Sequence, residues 1–185
     1  KYRGAAPVIA ALEAGDRLTG VTVMRMGVGL DDGPIMLQSF EPIYPDTTGG
    51  ALMDDLAIAG GVALAKALKL LSRHALPPEV PQDAHAATYV KKLKKTDGLV
   101  NWDWPVLEIE RRVRAYNPWP GCYTFLPLRF RKKGTLGRLV ILRAKVVRLP
   151  DAPSAAAEPG TIVGLDRQGP IVKCHDTALL LTEVK

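Results

Sequence analysis

Apolar and polar positions alternate in short runs over the first third of the chain. The run VTVMRM at 21–26 is typical of a strand, and IMLQSFEPI at 35–43 of a second strand that begins after a proline. Between them, GVGLDDGP at 27–34 predicts a glycine-rich loop. The DTTGG motif that follows predicts a helix start, with Thr47 or Thr48 as the N-cap.

Apolar residues then recur at helical spacing and predict one buried helix face, made of Leu52, Leu56, Ala59, Ala63, Ala67 and Leu70. Pro77 and Pro78 end this pattern. Gly60 and Gly61 fall in mid-helix, where each costs roughly 1 kcal/mol relative to alanine. We therefore expect close packing against another backbone there, or a break. This order of elements fits the end of an α/β layer, with too few strands to cover both faces of a sheet.

A proline-rich stretch marks the clearest boundary in the chain. Residues 75–95, ALPPEVPQDAHAATYVKKLKK, are rich in proline and polar residues and then become basic. We therefore predict three parts, which are an α/β portion at 1–74, a linker at 75–95 and a β-rich domain at 96–185.

The third part begins with a short predicted helix at about 105–115 and continues as β structure. Val106, Ile109 and Val113 give the helix a buried stripe, and the NPWPG run ends it. Five β-rich runs follow, separated by glycine, proline, aspartate or charged turns. Short strands at this spacing predict a small barrel of the five-stranded oligonucleotide-binding (OB) kind.

The composition, 47% apolar and 24% charged, is that of an ordinary soluble globular chain. No run approaches the roughly 18 apolar residues of a membrane span, and the amino end lacks a secretory signal, so we expect a cytoplasmic protein without a membrane partner. Cys122 and Cys174 lack Cys-x-x-Cys spacing and are expected to be buried thiols. Adjacent strand residues point to opposite faces, which disfavours a metal site at Cys174 and His175. No metal is predicted.

The net charge of +6 resides in one segment. Residues 88–148 carry 15 basic and 4 acidic side chains, whereas residues 1–74 carry 7 and 8. This asymmetry is typical of a polyanion-binding face. A solvated Lys/Arg surface with no partner is the alternative.

Among the loops, GVGLDDGP is the candidate for chemistry. The chain has no phosphate-binding loop motif and no nucleophile elbow, and His74, His85 and His175 are scattered and read as surface or loop residues. Paired aspartates between glycines at the carboxyl end of a strand lie where open α/β sheets place their ligands. A plain tight turn is the other interpretation of the Asp-Asp-Gly-Pro sequence at 31–34.

Two longer stretches resemble one family. YRGAAPVIAALEAGDRLTGVTVMRMGVGLDDGPIMLQ resembles the second half of the catalytic domain of methionyl-tRNA formyltransferases, with its R-G-A-A-P, T-G-V-T and L-D-T-G pattern. TYVKKLKKTDGLVNWDWPVLEIERRVRAYNPWPG resembles that family's interdomain segment and the start of its carboxyl-terminal domain. The resemblance covers essentially all of residues 1–185. It implies the carboxyl-terminal portion of a Rossmann-like formyltransferase domain at 1–74, then the linker and an OB-like tRNA-binding domain.

The activity implied by this resemblance is transfer of a formyl group from 10-formyltetrahydrofolate to methionyl initiator tRNA. In the family an Asn and a His precede R-G-A-A-P, so we expect them upstream of residue 1 and expect this chain to be inactive alone. The family's barrel also continues past Lys185. We expect the complete protein to be a monomer.

The resemblance also assigns residues. Asp31 stands at the aspartate that holds and charges the catalytic His, while Asp32 replaces the usual Thr and Gly27 an Asp that is often present. The folate ring would be lined by Met26, Gly27, Val28, Gly29, Leu30 and Gly33. The tRNA would be bound by Arg3, Lys91, Lys92, Lys94, Lys95, Arg129, Arg131, Lys132 and Lys133. Tyr116 and Trp119 are expected in core packing at the domain interface rather than in base stacking.

A non-catalytic RNA-binding module of the OB type, with the α/β part as a cap, is the alternative. A large exposed apolar patch on the α/β part is expected for the formyltransferase and not for the self-sufficient module.

Overall fold

A computed structural model describes residues 1–127, 136–149 and 155–185. The chain divides into two compact units, Lys1–Leu93 (unit 1) and Lys94–Lys185 (unit 2). The sequence-based limits at residues 74 and 95 stay a prediction. The segment from residue 75 to residue 93 belongs to unit 1.

Unit 1 consists of two short paired sheets and two helices. In chain order its elements are β1 (Arg3–Gly4), α1 (Pro7–Ala14), β2 (Leu18–Met24), β3 (Ile35–Pro42), α2 (Gly49–Ser72) and β4 (Tyr89–Val90). Strands β2 and β3 form an antiparallel hairpin, and β1 pairs in parallel with β4. Both strands predicted in the first third of the sequence are therefore present.

Helix α2 begins at the predicted cap. The Thr48 hydroxyl accepts a hydrogen bond from the Ala51 N–H at 3.3 Å, and the apolar stripe packs on β2 and β3. The expected break at Gly60 and Gly61 is wrong, because the helix runs without interruption. A Cβ at Gly60 would lie 3.4 Å from a methyl group of Val21, which is a side chain and not another backbone, and Gly61 faces open space.

Exposed apolar side chains lie on both sides of the buried stripe of α2. Six of its large apolar side chains are between 44% and 71% exposed, namely Met53, Ile58, Val62, Leu64, Leu68 and Leu71. The helix is thus apolar around most of its circumference, which is typical of a helix buried on more than one side.

Unit 2 combines one helix with one antiparallel sheet. Its elements are α3 (Val106–Ala115), β5 (Cys122–Pro127), β6 (Leu136–Val147), β7 (Ile162–Asp166), β8 (Gly169–Lys173) and β9 (Ala178–Val184). The sheet order is β5-β6-β9-β8-β7. Within the described residues β5 and β7 end the sheet and do not pair with each other, so a closed barrel is not found. The prediction of an α/β part followed by a β-rich part is confirmed. The predicted closure of the sheet into an OB-like barrel is not shown.

The core of unit 2 lies between α3 and the sheet. Val106, Ile109 and Val113 are buried as their spacing predicts, and Ile141 and Leu179 lie in the same core. The two cysteines are buried free thiols, as expected. Burial first, and then the charge of Asp176, raise the pKa of the Cys174 thiol to about 12, so this thiol stays protonated at neutral pH.

The turn between β8 and β9 is joined to the start of α3 by one carboxylate. Asp176 accepts hydrogen bonds from the Val106 N–H at 2.8 Å and from the Thr177 N–H at 3.0 Å. Burial alone would raise its pKa, but these backbone N–H bonds, its own N–H and the charge of His175 together lower the pKa of Asp176. The carboxylate therefore caps a helix from 70 residues away in the sequence.

Replacing Asp176 by Asn should lower the free energy of unfolding of unit 2 by roughly 0.3–1 kcal/mol at neutral pH, because the amide oxygen can still accept the cap hydrogen bonds and only the negative charge at the helix start is lost. All three tryptophans lie in unit 2, so urea unfolding followed by tryptophan fluorescence reports on this unit. Because the pKa of Asp176 is lowered in the folded chain from its usual 3.8, the stabilisation is present above that value and is lost as the pH falls through the lower folded pKa.

The difference in the free energy of unfolding between the two proteins should therefore shrink as the pH falls through the lowered pKa of Asp176 in the folded chain. Asp103→Asn, an exposed aspartate in the turn before α3, is the matched control and should leave the unfolding midpoint unchanged. A difference that persists unchanged at low pH would contradict the charged cap.

Replacing Gly61 by Ala should stabilise unit 1 by up to about 1 kcal/mol, because this mid-helix position faces open space and alanine is the better helix former. Gly60→Ala should gain less, since its methyl group must fit against Val21. Chemical unfolding followed by far-ultraviolet circular dichroism measures both, because α2 holds most of the helical residues. Destabilisation by Gly61→Ala would show that α2 is not continuous at this point.

Candidate functional site

The candidate site is built on the loop that joins β2 to β3, residues 25–34 (the β2–β3 loop). The Arg25 N–H donates to the Pro34 carbonyl at 3.0 Å and closes the base of the loop. Gly33 lies so close to the backbone of Arg25 that a Cβ at this position would overlap with the Arg25 carbonyl oxygen. The tight base of the loop therefore requires glycine at residue 33.

Asp31 is held in an uncommon backbone conformation. Its φ is 53°, in the left-handed region that costs a non-glycine residue free energy unless its surroundings fix it. The Gly4 N–H donates to the Asp31 Oδ2 at 3.0 Å. The R-G-A-A-P segment and the β2–β3 loop, both singled out in the sequence, are thus joined through this carboxylate.

A glutamine from another part of unit 1 binds the same loop. The Gln82 Nε2 donates to the carbonyl oxygens of Asp31 at 3.0 Å and Gly33 at 2.7 Å, and its Oε1 accepts from the Arg3 guanidinium at 3.1 Å. Arg3, which the sequence assigns to tRNA binding, thus lies beside Asp31 and is bonded to Gln82.

Asp31, Arg3 and Gln82 line a cavity of about 580 Å³ in unit 1. This volume lies in the range of small-molecule sites. Tyr2 also lines it, and its hydroxyl donates to Asp16 at 2.7 Å. Burial, the hydrogen bond to Asp16 and the charge of Asp16 raise the pKa of Tyr2 to about 12, so the hydroxyl remains a donor at neutral pH.

The other loop residues assigned to the folate are placed differently. Of the predicted set, Met26, Gly27, Val28, Gly29, Leu30 and Gly33, none lines this cavity. The side chains of Met26, Val28 and Leu30 are exposed. Their role toward a folate ring stays a prediction.

Asp32 and two loop glycines form one steric unit. The Asp32 carboxylate lies against Gly27 and Gly29, where a Cβ at either glycine would overlap with its oxygens. The two departures from the family pattern, Asp32 and Gly27, are therefore coupled in space: with Asp32 in this conformation, residue 27 has no room for a side chain.

The predicted lysine run spans the boundary between the units. Lys91 and Lys92 are exposed in unit 1, and Lys94 and Lys95 are exposed in unit 2. Arg129, Arg131, Lys132 and Lys133 lie outside the described residues. By sequence, unit 2 carries 16 basic and 9 acidic side chains and unit 1 carries 9 and 10, so the positive charge belongs to unit 2.

Arg112 and Arg114 of α3 contact side chains in or next to the same helix. Arg114 forms an ion pair with Glu110 at 2.6 Å, and Arg112 stacks on Trp104 at 4.1 Å from the ring centre. Tyr116 is buried, in line with core packing, whereas Trp119 is 49% exposed and its predicted place in a core is wrong.

Within the described ranges, no group of three or more His, Cys, Asp or Glu side chains is arranged to hold a metal ion. A membrane-crossing helix, one both long and apolar enough, does not occur in the described parts of the chain. His74, His85 and His175 are exposed, as predicted from their scattered positions.

Sequence reasoning missed Gln82 and Tyr2 as parts of the site. Gln82 lies in the segment predicted as a linker, whose proline-rich composition indicates irregular backbone and says nothing about where a side chain reaches. Val80 pairs with Ile35 by two backbone hydrogen bonds, and this pairing, invisible in the sequence pattern, brings Gln82 to the loop.

Two family models match the chain: formyl transferase over residues 1–68, and formyl transferase, C-terminal domain, over residues 92–185. The chain therefore belongs to the formyl transferase family.

The curated relatives show which members of the family the chain is similar to. The chain is 41% identical to a methionyl-tRNA formyltransferase of Pseudomonas putida and 42% identical to one of Symbiobacterium thermophilum, over its whole length in both cases. It covers 55% and 53% of those proteins, so it spans about half the length of the curated relatives that it matches. The resemblance drawn from the sequence is confirmed.

Solved structures share the fold. An N-formyltransferase from Helicobacter canadensis, in complex with folinic acid and dTDP-3-aminofucose, matches with a TM-score of 0.69 at 15% identity, covering 100% of this chain and 62% of that one. HypX from Aquifex aeolicus, in complex with tetrahydrofolic acid, matches at 0.67 and 17%, covering 99% and 30%. A methionyl-tRNA formyltransferase from Clostridium thermocellum matches at 0.57 and 21%, covering 79% and 59%.

Proposed function

We propose that this chain is part of a methionyl-tRNA formyltransferase, which transfers a formyl group from 10-formyltetrahydrofolate to the amino group of methionyl initiator tRNA. The observation that carries the proposal is the Asp31 carboxylate, fixed by the Gly4 N–H at the wall of a ligand-sized cavity. The names of the relatives and the tetrahydrofolate and folinic acid complexes of the fold neighbours support it.

The chemistry of formyl transfer explains what a fixed carboxylate can do. The attacking amine must be neutral, the tetrahedral intermediate carries an oxyanion, and the leaving folate nitrogen must be protonated. These steps need a hydrogen-bond donor at the oxyanion and a proton carrier. A carboxylate beside a histidine raises the imidazole pKa and stabilises its cation, and this is the role proposed for Asp31. The histidine and the asparagine would come from the preceding part of the whole protein.

The residues around Asp31 fit a folate-type formyl donor. The cavity is lined by polar side chains, among them Arg3, whose guanidinium has more N–H donors than its bonds to Tyr89 and Gln82 use. The exposed β2–β3 loop adds apolar surface through Met26 and Leu30. In this proposal the loop backbone contacts the flat ring, and Arg3 acts within the site.

Positive charge would provide tRNA affinity. Lys91, Lys92, Lys94 and Lys95 are exposed and available for phosphate contacts, which give affinity with little sequence information. We extend the proposal to an OB-like arrangement of the unit 2 sheet as the tRNA-binding domain. Its five antiparallel strands agree in number with such a fold.

The alternative, a non-catalytic RNA-binding module, is disfavoured by one observation. Helix α2 exposes six large apolar side chains, whereas a self-sufficient cap would cover them. These side chains support packing of this helix against a further part of a longer formyltransferase.

In the complete enzyme, replacing Asp31 by Asn should lower turnover by two or more orders of magnitude, because the neutral amide no longer stabilises the histidine cation. The affinity for tRNA should change little. Formylation of methionyl-tRNA under single-turnover conditions measures the first quantity, and filter binding the second. Asp32→Asn, the exposed neighbouring carboxylate, is the matched control and should retain most of the turnover. Near-normal turnover of Asp31→Asn would remove Asp31 from the mechanism.

Changing Lys91, Lys92, Lys94 and Lys95 together to Gln should weaken tRNA binding and reduce the slope of log affinity against log salt by a few units. The slope falls because a protein that makes fewer phosphate contacts releases fewer counterions when it binds. Binding measured from about 50 to 200 mM salt gives the slope. A variant with four other exposed basic residues of unit 1 changed to Gln, namely Arg17, Lys66, Lys69 and Arg73, removes the same net charge and is the control. An unchanged slope in the first variant would mean that these lysines are only a solvated face.

A further inference from the structure

We infer that Gln82 is a positioning residue for the Asp31 carboxylate. The inference that it fixes the β2–β3 loop rests on geometry, and the inference that this serves catalysis rests on the proposed function. Nothing in the sequence pattern or in the relatives' names assigns a role to this side chain.

The backbone around Gln82 is anchored on both sides. On one side the Ile35 N–H donates to the Val80 carbonyl at 2.8 Å and the Val80 N–H to the Ile35 carbonyl at 3.0 Å. On the other side β4 pairs with β1, with the Arg3 N–H donating to the Thr88 carbonyl at 2.7 Å. A side chain between two such anchors is presented at a fixed place.

The amide uses both of its functional ends. Its NH₂ group donates to two carbonyl oxygens of the β2–β3 loop, those of Asp31 and Gly33, and its oxygen accepts from Arg3. Only an amide of this length has two donors for the loop and an acceptor for the guanidinium. Asp31 is thus held from two directions, at its carbonyl by Gln82 and at its carboxylate by Gly4.

These hydrogen bonds explain why Asp31 keeps a strained backbone conformation on an exposed loop. Asp31 has a positive φ, and the loop residues before it are exposed, so little of their own packing restrains them. The loop's hydrogen bonds to residues 4 and 82 supply the restraint that the left-handed conformation requires.

The test compares three variants of the present chain by hydrogen exchange and mass spectrometry, read at the amides of Gly4 and Arg25, which donate to the Asp31 carboxylate and the Pro34 carbonyl. Gln82→Ala should lower the protection of these two amides about tenfold or more, because two hydrogen bonds that hold the loop are lost. Gln38→Ala is the matched control, since Gln38 lines the same cavity but bonds to Thr22 instead of the loop. It should leave the loop unchanged. Equal protection in the native chain and Gln82→Ala would overturn the proposal.

Gln82→Glu separates hydrogen bonding from packing. The introduced carboxylate has the same shape but cannot donate, so at neutral pH the loop should lose protection as in Gln82→Ala. As the pH falls through the titration of the introduced carboxyl, one donor returns, and protection relative to the native chain at the same pH should recover in part. A role in packing alone would leave Gln82→Glu native-like at every pH, and that result would overturn the donor role.

Folinic acid serves as the probe for the link to function. Titrated onto the native chain and the variants, it should bind more weakly to Gln82→Ala than to Gln38→Ala. In the complete enzyme, Gln82→Ala should lower kcat more than it changes the KM for tRNA. If Gln82→Ala loses protection in the loop but neither the native chain nor the complete enzyme binds folinic acid, the positioning role is upheld and the folate proposal fails. If folinic acid binds equally to all the chains while the loop loosens, the catalytic part of this inference is overturned.

Discussion

The candidate site depends on one constraint, which is that Asp31 keeps a left-handed backbone conformation at the wall of the cavity. Every element of unit 1 near the site contributes to this constraint. Strand β1 brings the Gly4 N–H to the carboxylate, the β2–β3 hairpin supplies the closed loop, and the segment after α2 returns along β3 to place Gln82. A short parallel pair, β1 with β4, then fixes the returning segment. The site is therefore assembled from three stretches that are far apart in sequence.

Unit 2 is organised around a different kind of link. Its helix α3 has a polar face satisfied by local pairs, Arg114 with Glu110 and Arg112 with Glu108 and Trp104, while its apolar face packs on β6 and β9. Asp176 joins the start of that helix to the turn between β8 and β9. Because the helix arginines are engaged in this way, the exposed lysines at the start of unit 2 are better placed to contact a polyanion than the helix is.

Local patterns predicted the elements of both units and part of the site. Thr48 as a cap, the stripe of α3 and the strands on either side of the β2–β3 loop follow from spacing and turn chemistry, which act over a few residues. Gln82 could not be found in this way, because its partners are 49 and 51 residues away and a proline-rich composition does not encode them. Gly60 was misjudged for a related reason: its neighbour is the side chain of Val21, and helix propensity does not tell what a distant strand presents. Closure of the unit 2 sheet is likewise a matter of which distant strands pair.

The crowding of Asp32 against Gly27 and Gly29 has a consequence for the variation of related chains. A relative with a side chain at position 27 or 29 has no room for a carboxylate held as Asp32 is here. Asp32 is exposed and its carboxylate can turn into solvent, so a side chain at residue 27 or 29 requires a new rotamer of Asp32 and no change in the course of the loop.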